Sequence, residues 1–521
     1  MNRSIGSPSQ RSITSASAAR GGGVSDFLQL DSGDAPKGGL ADWLAREIRD
    51  AIADGRLPAG GRLPATRTLA ADLRVSRGVV TEAYRRLTED GHVAGRGRGG
   101  TVVVAVPQVP TPSPEPPDHP PAAAGPSPEP PDHPPAAAGA GLFTAPADDL
   151  GVFDALRAAP ARIDLSPGLP DLAAFPRAAW LRAERSVLAG LTPSDFGYGD
   201  PRGTPALRTA VAHWLSRNRG IRADPDDVMI VNGTAQALRL LVDVLRADGV
   251  REVAVEEPGS LGVRQHLRPL GTPPVPVDAH GVRVDALRAT GARAVLLTPA
   301  HQFPTGVVLG GERRRELMEW ARDGGLVIED DYDAEHRYDR PAVPALRALL
   351  PEHVCYAGSV SKLLAPALRL GWLLAPPAYR DALLDAKRLT DLGTAGLPQL
   401  VLAHLMESGD LERHLRLIRR HHRRRRDAMI AAIRTQLPGA VVHGAAAGLH
   451  LTITFREASR KGAYEGSDTA LAAAALADGV KVHPLSWHTQ LPHPPGLVLG
   501  YAASGTAEIA EGVGVLGRLV R

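Results

Sequence analysis

Leu40, Leu44, Ile48 and Ile52 recur every four residues and mark one apolar face of an amphipathic helix, which Gly55 and Pro58 end. Thr66 is placed to cap a short second helix that holds Leu69 and Leu73. Ser76 is placed to cap a third, in which Val80, Ala83, Tyr84 and Leu87 fall at i, i+3, i+4 and i+7. Two short strands, Gly91-His92-Val93-Ala94 and Thr101-Val102-Val103-Val104, then flank the turn Arg96-Gly97-Arg98-Gly99-Gly100. Three helices and a hairpin over residues 38–104 predict a winged helix-turn-helix. From about residue 160 to 521 the rhythm changes. Short apolar runs (Val228 to Val231, Val253 to Val255, Ala294 to Leu297, Leu326 to Ile328) alternate with helical stretches such as 234–247 and 311–322. That alternation predicts an α/β domain with a mostly parallel sheet covered on both faces, whose ligands sit at the carboxyl ends of the strands.

Between these parts the pattern is lost. Residues 1–37 are rich in Ser and Gly and predict a tail without regular structure. Residues 105–159 read as a linker, with an exact tandem repeat, PSPEPPDHPPAAAG, at 112–125 and 126–139. Six prolines per copy favour extended polyproline II and exclude helix.

The chain has 521 residues, 43% of them hydrophobic, enough for about three to four domain-sized units. No run approaches the ~20 apolar residues of a membrane span. The polar N-terminus has no apolar core of a secretory signal, so a cytoplasmic protein is expected. One cysteine, Cys355, excludes an intrachain disulfide, and its apolar strand Val354-Cys355-Tyr356 marks it as core. The net charge of +3 hides a bias: only five of 60 basic residues are lysines (Lys37, Lys362, Lys387, Lys461, Lys481). Any chemistry that needs a lysine amine has those five candidates.

Residues 62–98 hold eight arginines against four acids. A helix starting Ser76-Arg77-Gly78 suits entry into a major groove, where Arg77 reaches a base edge or phosphate and Gly78 permits close approach. Arg96 and Arg98 on the glycine-rich turn suit a wing against the DNA backbone or minor groove. The stretch 55–104 resembles the DNA-binding domain of the GntR family of bacterial regulators. It shares G-x-L-x-x-G-x-x-L-P-x-x-R-x-L-A, then V-S-R, then A-Y-x-x-L-x-x-x-G and a glycine-rich wing. The resemblance implies that Arg67, Ser76, Arg77 and Thr81 contact double-stranded operator DNA.

In the second region Gly358-Ser359-Val360-Ser361-Lys362 is followed seven residues later by Arg369. A lysine flanked by hydroxyls can form a Schiff base with an aldehyde cofactor, and Ser359, Ser361 and Arg369 can hold a nearby phosphate. Asn232-Gly233-Thr234-Ala235-Gln236 follows a strand and opens a helix, which makes an anion site. Glu329-Asp330-Asp331-Tyr332 ends another strand, where a carboxylate can pair with a pyridinium nitrogen. Together these fit pyridoxal 5′-phosphate.

Their order resembles the fold-type I aminotransferases, and the whole chain resembles the MocR-like (GabR-like) branch of GntR regulators. The matching residues are Phe175-Pro176, Tyr198 to Gly203, Gly233-Thr234, His301 to Gly306, Glu329 to Tyr332, Lys362 and Arg369. The resemblance implies an aminotransferase-like domain over 160–521 with a smaller C-terminal α+β subdomain. It implies Lys362 as the Schiff-base lysine, Asp330 on the pyridine nitrogen and Tyr332 near the phenolic oxygen. It also implies a homodimer in which Tyr198 approaches the phosphate from the other subunit.

Three departures bear on chemistry. Phe303 stands where aminotransferases usually carry Asn. Ser260 replaces the aromatic that stacks on the cofactor ring, a place His301 or another side chain could fill. Segment 482–500 has no Arg or Lys to bind a substrate carboxylate. Turnover of α-amino acids is therefore expected to be weak or absent, with a small-molecule effector (an amino compound or the cofactor itself) sensed instead. An active aminotransferase with an accessory DNA-binding module remains the alternative. The run His414 to Arg426, HLRLIRRHHRRRR, reads as a packed, partly ion-paired helix, with a second nucleic-acid contact as the other reading. Adjacent His421 and His422 point to different helix faces, which argues against a metal pair.

Overall fold

A computed structural model describes residues 24–25, 27–28, 30–36, 39–53, 56–57, 60–89, 92–95, 100–104, 142–143, 150–338, 343–444, 447–455 and 467–521. The chain divides into two compact units, Met1–Val106 and Pro107–Arg521.

In the first unit, β1 (Val24–Ser25) and β2 (Leu30–Asp31) pair antiparallel ahead of α1 (Leu40–Ala53), α2 (Thr66–Asp72) and α3 (Arg77–Glu89). The hairpin of β3 (Val93–Gly95) and β4 (Thr101–Val103) follows. Leu44, Ile48, Ile52, Leu69, Leu73, Val80, Ala83 and Leu87 are buried in one core, each large side chain contributing about 1.5–3 kcal/mol. The Tyr84 hydroxyl donates to the Pro64 carbonyl (2.8 Å), and an Arg86–Asp42 ion pair ties α3 to α1. Two expectations change. Thr66 is the first residue of α2 rather than its cap, because Ala65 takes the non-helical dihedrals. The tail expected over 1–37 contains the β1–β2 pair, held because Leu30 is buried in the helical core.

The second unit opens with α4 (Val152–Ala158), β5 (Ile163–Asp164), α5 (Arg177–Gly190) and α6 (Pro205–Arg219). Next come β6 (Met229–Val231), α7 (Thr234–Ala247), β7 (Val253–Glu257), α8 (Leu261–Leu267), β8 (Pro274–Asp278) and β9 (Gly281–Val282). They are followed by α9 (Val284–Thr290), β10 (Ala294–Leu297), α10 (Gly311–Arg322), β11 (Leu326–Asp331), β12 (Val354–Ser359) and β13 (Gly371–Leu374). The eight strands form one sheet in the order β6-β13-β12-β11-β10-β7-β8-β9. The run from β12 to β8 is parallel, while β13 pairs antiparallel with both β12 and β6, and β9 antiparallel with β8. The central strands begin as apolar runs because helices cover both faces, and β7 and β11 turn acidic only at their carboxyl ends.

After α11 (Pro377–Asp391), α12 (Gly396–Glu407) and the long α13 (Asp410–Gln436), the chain builds a smaller subdomain. Its elements are β14 (Ala440–His443), β15 (His450–Phe455), α14 (Asp468–Ala477), β16 (Val480–Lys481), β17 (His483–Pro484), β18 (Gly496–Gly500) and α15 (Thr506–Val520). Its antiparallel sheet runs β14-β15-β18-β17, and β16 pairs with β5.

The linker expected over 105–159 is shorter than its composition suggested. Phe143 and α4 belong to the core of this subdomain, with Val152 and Leu156 each 2% exposed. The tandem repeat at 112–139 lies outside the described residues. The chain's lone cysteine, Cys355, is buried on β12, where burial pushes its thiol up to about 12.

Candidate functional site

The carboxyl ends of β6, β7, β10, β11 and β12 form a crevice outside the sheet, the place where ligands of such sheets bind. Just past β12 stands Lys362. Its Nζ donates to the Gly168 carbonyl at 2.5 Å. Burial lowers the Lys362 pKa, while Asp333 and Asp330 hold it up. The Lys362 carbonyl lies 3.1 Å from His336 Nε2, and burial pushes the His336 pKa down to about 3. A neutral His336 that donates from Nε2 therefore fixes the backbone of the lysine.

On one side of Lys362 lies an anion cradle. Gly233 caps α7 with φ 77°, so the first amides of the helix, at Thr234 and Ala235, face the crevice. A Cβ at Gly233 would come within 3.1 Å of Arg369 Nη2, so glycine suits both the left-handed backbone here and the close approach of this guanidinium. Arg369, exposed and itself left-handed at φ 50°, donates to the Asn232 carbonyl at 2.5 Å. Ser359 is buried at the end of β12, and the Ser361 amide reaches its Oγ at 3.4 Å. Asp391 accepts from Asn232 Nδ2 (3.0 Å), Gln236 Nε2 (2.6 Å) and Lys387 Nζ (3.0 Å), which holds the cradle from behind.

On the other side lies β11. Alternation sends Glu329 and Asp331 away from the crevice. Glu329 accepts the amides of Leu346 (3.0 Å) and Arg347 (3.1 Å), and Asp331 accepts from Arg219 Nε (2.5 Å) and from the Tyr356 hydroxyl. Asp330 faces the crevice, 7% exposed, and its Oδ1 has no partner. Burial, reinforced by Asp331 and Asp333, pushes its carboxyl up to about 7. A buried carboxylate with a free oxygen is suited to a cationic N–H donor.

Next to it, His301 Nδ1 lies 2.9 Å from Asp333 Oδ2 and 3.0 Å from the Tyr332 hydroxyl. Nδ1 faces the carboxylate opposite, and Nε2 is buried without a partner among the described residues. Glycines confine the ring, since a Cβ at Gly448 would meet His301 Cε1 at 1.9 Å. Phe303 packs edge-on against His488 (ring centroids 4.9 Å) and tilted against His450 (4.9 Å). Burial holds both histidines well below the ordinary imidazole range, so this wall is neutral. Ser260 caps α8 by accepting from the Val263 amide (3.3 Å), and the turn beside it is docked by segment 487–491. There the Gly259 amide donates to the His488 carbonyl (2.7 Å) and the Leu261 amide to His488 Nδ1 (3.3 Å).

The expected residues therefore stand in two groups around Lys362: Gly233, Thr234, Ala235, Ser359, Ser361 and Arg369 at the cradle, Asp330 and Tyr332 at the far end. Tyr198 does not join them within one chain, being 95% exposed. Gly168, Asp333, His336, His450 and His488 had no signal in the sequence. Each is isolated from the motifs except Asp333, which directly follows Tyr332.

In the first unit, Arg67, Ser76, Arg77 and Thr81 are exposed at the starts of α2 and α3. Arg77 Nε donates to Thr66 Oγ1 at 3.4 Å, which joins the two helices at that surface. Arg96 and Arg98 lie outside the described residues.

Residues 161–511 match the family described as "Aminotransferase class I and II", and residues 40–103 match "Bacterial regulatory proteins, gntR family". The chain is 31% identical over 484 residues to the probable rhizopine catabolism regulatory protein MocR of Rhizobium meliloti, which covers 91% of this chain and 92% of that protein. It is 30% identical to the pyridoxine biosynthesis transcriptional regulator PdxR of Corynebacterium glutamicum, over 79% of this chain and 82% of that one. Among solved structures, LysN from Thermus thermophilus, an α-aminoadipate aminotransferase complexed with N-(5′-phosphopyridoxyl)-L-leucine, is 27% identical. It matches with a TM-score of 0.63, covering 73% of this chain and 95% of that chain.

Proposed function

The chain belongs to the MocR-like branch of gntR-family transcriptional regulators, with a second unit of the aminotransferase class I and II family, and from that membership we propose that it is a regulator whose second unit binds pyridoxal 5′-phosphate and senses a small molecule. The observation that carries this reading is the lone buried oxygen of Asp330 on the far side of Lys362 from the anion cradle. A phosphate-bearing pyridine aldehyde has these three needs: an amine for its aldehyde, an anion for its ring nitrogen and donors for its phosphate. When bound, it supplies an electron sink conjugated to the lysine nitrogen.

Each residue has a part. Lys362 holds the aldehyde covalently. Asp330 takes the ring nitrogen, and Tyr332, positioned by His301, faces the phenolic oxygen. Gly233, Thr234, Ala235, Ser359, Ser361 and Arg369 hold the phosphate. Tyr198 reaches the phosphate of a partner copy in a homodimer, and the exposed Phe196, Leu389 and Leu392 supply further apolar surface for that contact. Arg67, Ser76, Arg77, Thr81, Arg96 and Arg98 contact operator DNA. The protein acts in the cytoplasm, where that DNA is. None of its described helices is long and apolar enough to cross a membrane.

The effector is an amino compound or pyridoxal phosphate itself. Segment 482–500 brings only neutral, buried His483 and His488 to the site, with no Arg or Lys. A carboxylate desolvated there without a cation costs several kcal/mol, so turnover of α-amino acids is weak. Ligand binding shifts the population of arrangements of the second unit's dimer, and the linker carries this shift to the DNA-binding heads.

Borohydride reduction of the protein with pyridoxal phosphate, followed by peptide mapping, tests the reading. The expected adduct is on Lys362, and its absence rejects the cofactor. Lys362→Ala should lose the visible absorbance of the bound aldehyde and keep DNA binding. Rapid single-turnover transamination of an α-amino acid would reject the sensing role.

A further inference from the structure

The 27-residue helix α13 carries the arginine-rich run, and the structure sorts its arginines into two sets. One set is structural. Arg419 donates to the Glu335 carbonyl (2.6 Å), Arg425 pairs with buried Asp171 (2.8 Å), and Arg426 lies 4.9 Å above the Tyr338 ring. These flank the buried face of Leu411, Leu415, Ile418, His422, Met429 and Ile433.

The other set points outward. Arg416, Arg420, Arg423 and Arg424 are exposed, and none of them forms an ion pair among the described residues. They are spaced i, i+4, i+7 and i+8, which places them on one stripe. Several other exposed helical arginines are answered by an acid within one turn: Arg85 by Glu82, Arg239 by Asp243, Arg388 by Asp385 and, at the start of α13 itself, Arg413 by Asp410. On the stripe, like charges instead meet at i, i+3 and i, i+4, which destabilises a helix. The two acids one turn from the stripe, Glu412 and Asp427, pair instead with Arg217 and Arg426, so the four stripe arginines keep no ion-pair partner among the described residues.

We propose that Arg416, Arg420, Arg423 and Arg424 form a second contact surface for the phosphate backbone of double-stranded DNA. The stripe spans about 12 Å of helix, a length over which a duplex presents about seven phosphate charges. Guanidinium groups bind phosphate oxygens with two parallel donors. Duplex DNA is also the polyanion this chain keeps within its own reach. About 37 residues join Val104 to Leu142 and can span no more than about 125 Å, so DNA held by the first unit stays at high effective concentration around the second. The inference rests on the reading that the first unit binds DNA.

The test uses the full chain and a mixed-sequence duplex of about 60 base pairs, titrated between about 50 and 200 mM salt. Each phosphate contact contributes about 0.9 to the slope of log affinity against log salt, so Arg416→Gln/Arg420→Gln/Arg423→Gln/Arg424→Gln should flatten it by about 3–4. Arg420→Gln/Arg423→Gln should flatten it by about half as much. Both variants remove repulsion, so their melting temperatures should match or exceed the parent's. An unchanged slope in folded variants overturns the proposal, as does a change in oligomeric mass, which would assign the stripe to a contact between copies. Arg77→Gln in the same assay separates the two readings. If the parent chain fails to bind duplex DNA at all, the DNA-binding role of the first unit fails first. If Arg77→Gln weakens binding while the stripe variants do not, only the second surface is rejected.

Discussion

Lys362 Nζ and the Gly168 carbonyl meet at 2.5 Å across 194 positions of sequence. The loop ahead of α5 thus closes over the reactive amine. Gly168 adopts φ 79°, and a Cβ there would sit 3.3 Å from Nζ. Gly168→Ala should cost about 1–2 kcal/mol of backbone strain and displace the amine. The expected result is a fold that melts a few degrees lower and takes up pyridoxal phosphate much more weakly, read by absorbance titration. Unchanged uptake would show that the loop does not position the lysine.

Asp330 gives a pH signature. Burial raises its folded carboxyl to about 7, above the ordinary aspartate value of 3.8. A raised carboxyl binds its proton more tightly in the folded state. Cofactor-free protein therefore keeps its stability at acid pH, loses it as pH rises from about 4 to 7, and carries the full cost above that. Asp330→Asn cannot ionise and should escape the cost, on the order of 4 kcal/mol at pH 8. Melting of the cofactor-free proteins should show the variant gaining stability over wild type between pH 5 and 8, while losing affinity for pyridoxal phosphate. Equal melting differences at both pH values would refute the origin assigned to this shift.

Sequence periodicity read the long, strongly patterned elements well. α7 and α10 span 234–247 and 311–322 as expected, and β10 coincides with its apolar run. The C-terminal subdomain escaped periodicity and came only from family resemblance. Its strands are two to six residues long, and β15 and β18 pair across 40 residues of intervening chain. In the site, the motif residues fall at strand ends, where pattern and chemistry coincide. Gly168, His450 and His488 are single residues on distant elements, and nothing in their local sequence marks them. Segment 142–158 was read as linker because prolines and alanines dominate around it. Two phenylalanines and an apolar helix face decide otherwise.

Arg219 and Asp331 are each 1% exposed and bonded at 2.5 Å, with the Tyr356 hydroxyl on the same carboxylate. Arg219→Met leaves Asp331 buried beside Glu329 and Glu335 without its cation. The expected loss is about 3–5 kcal/mol in urea unfolding. Arg219→Met/Asp331→Leu should recover much of that, because the uncompensated charge goes with its partner. Equal instability of single and double variants would point to lost packing instead.

Arg77 lies exposed at the first turn of α3, steadied by Thr66. On duplexes selected from a random pool, Arg77→Ala should weaken specific binding by about 1–3 kcal/mol if the guanidinium reads a base edge. The salt slope decides its role. A change of about 1 assigns Arg77 to a phosphate, and an unchanged slope with relaxed sequence preference assigns it to a base. No effect on either removes α3 from the interface.

Phe143 fixes where the linker ends. Its ring stacks on Trp487 at 5.4 Å and 20°, and Phe153 of α4 meets the same indole edge-on at 6.0 Å. The Trp487 carbonyl accepts from Arg264 Nη2 at 2.8 Å, and the next residue, His488, packs edge-on against Phe303 in the wall of the site. One short segment thus touches the root of the linker on one face and the ligand site on the other. Phe143→Ala removes a stacked pair and leaves a cavity at the edge of the core, a loss on the order of 1–3 kcal/mol. The variant should bind pyridoxal phosphate as the wild type does, yet be cut faster by protease ahead of α4. If the anchor transmits ligand state, its DNA affinity should also respond less to pyridoxal phosphate. Faster cleavage with an intact response would confine Phe143 to stability, and unchanged cleavage would show that the linker is held elsewhere.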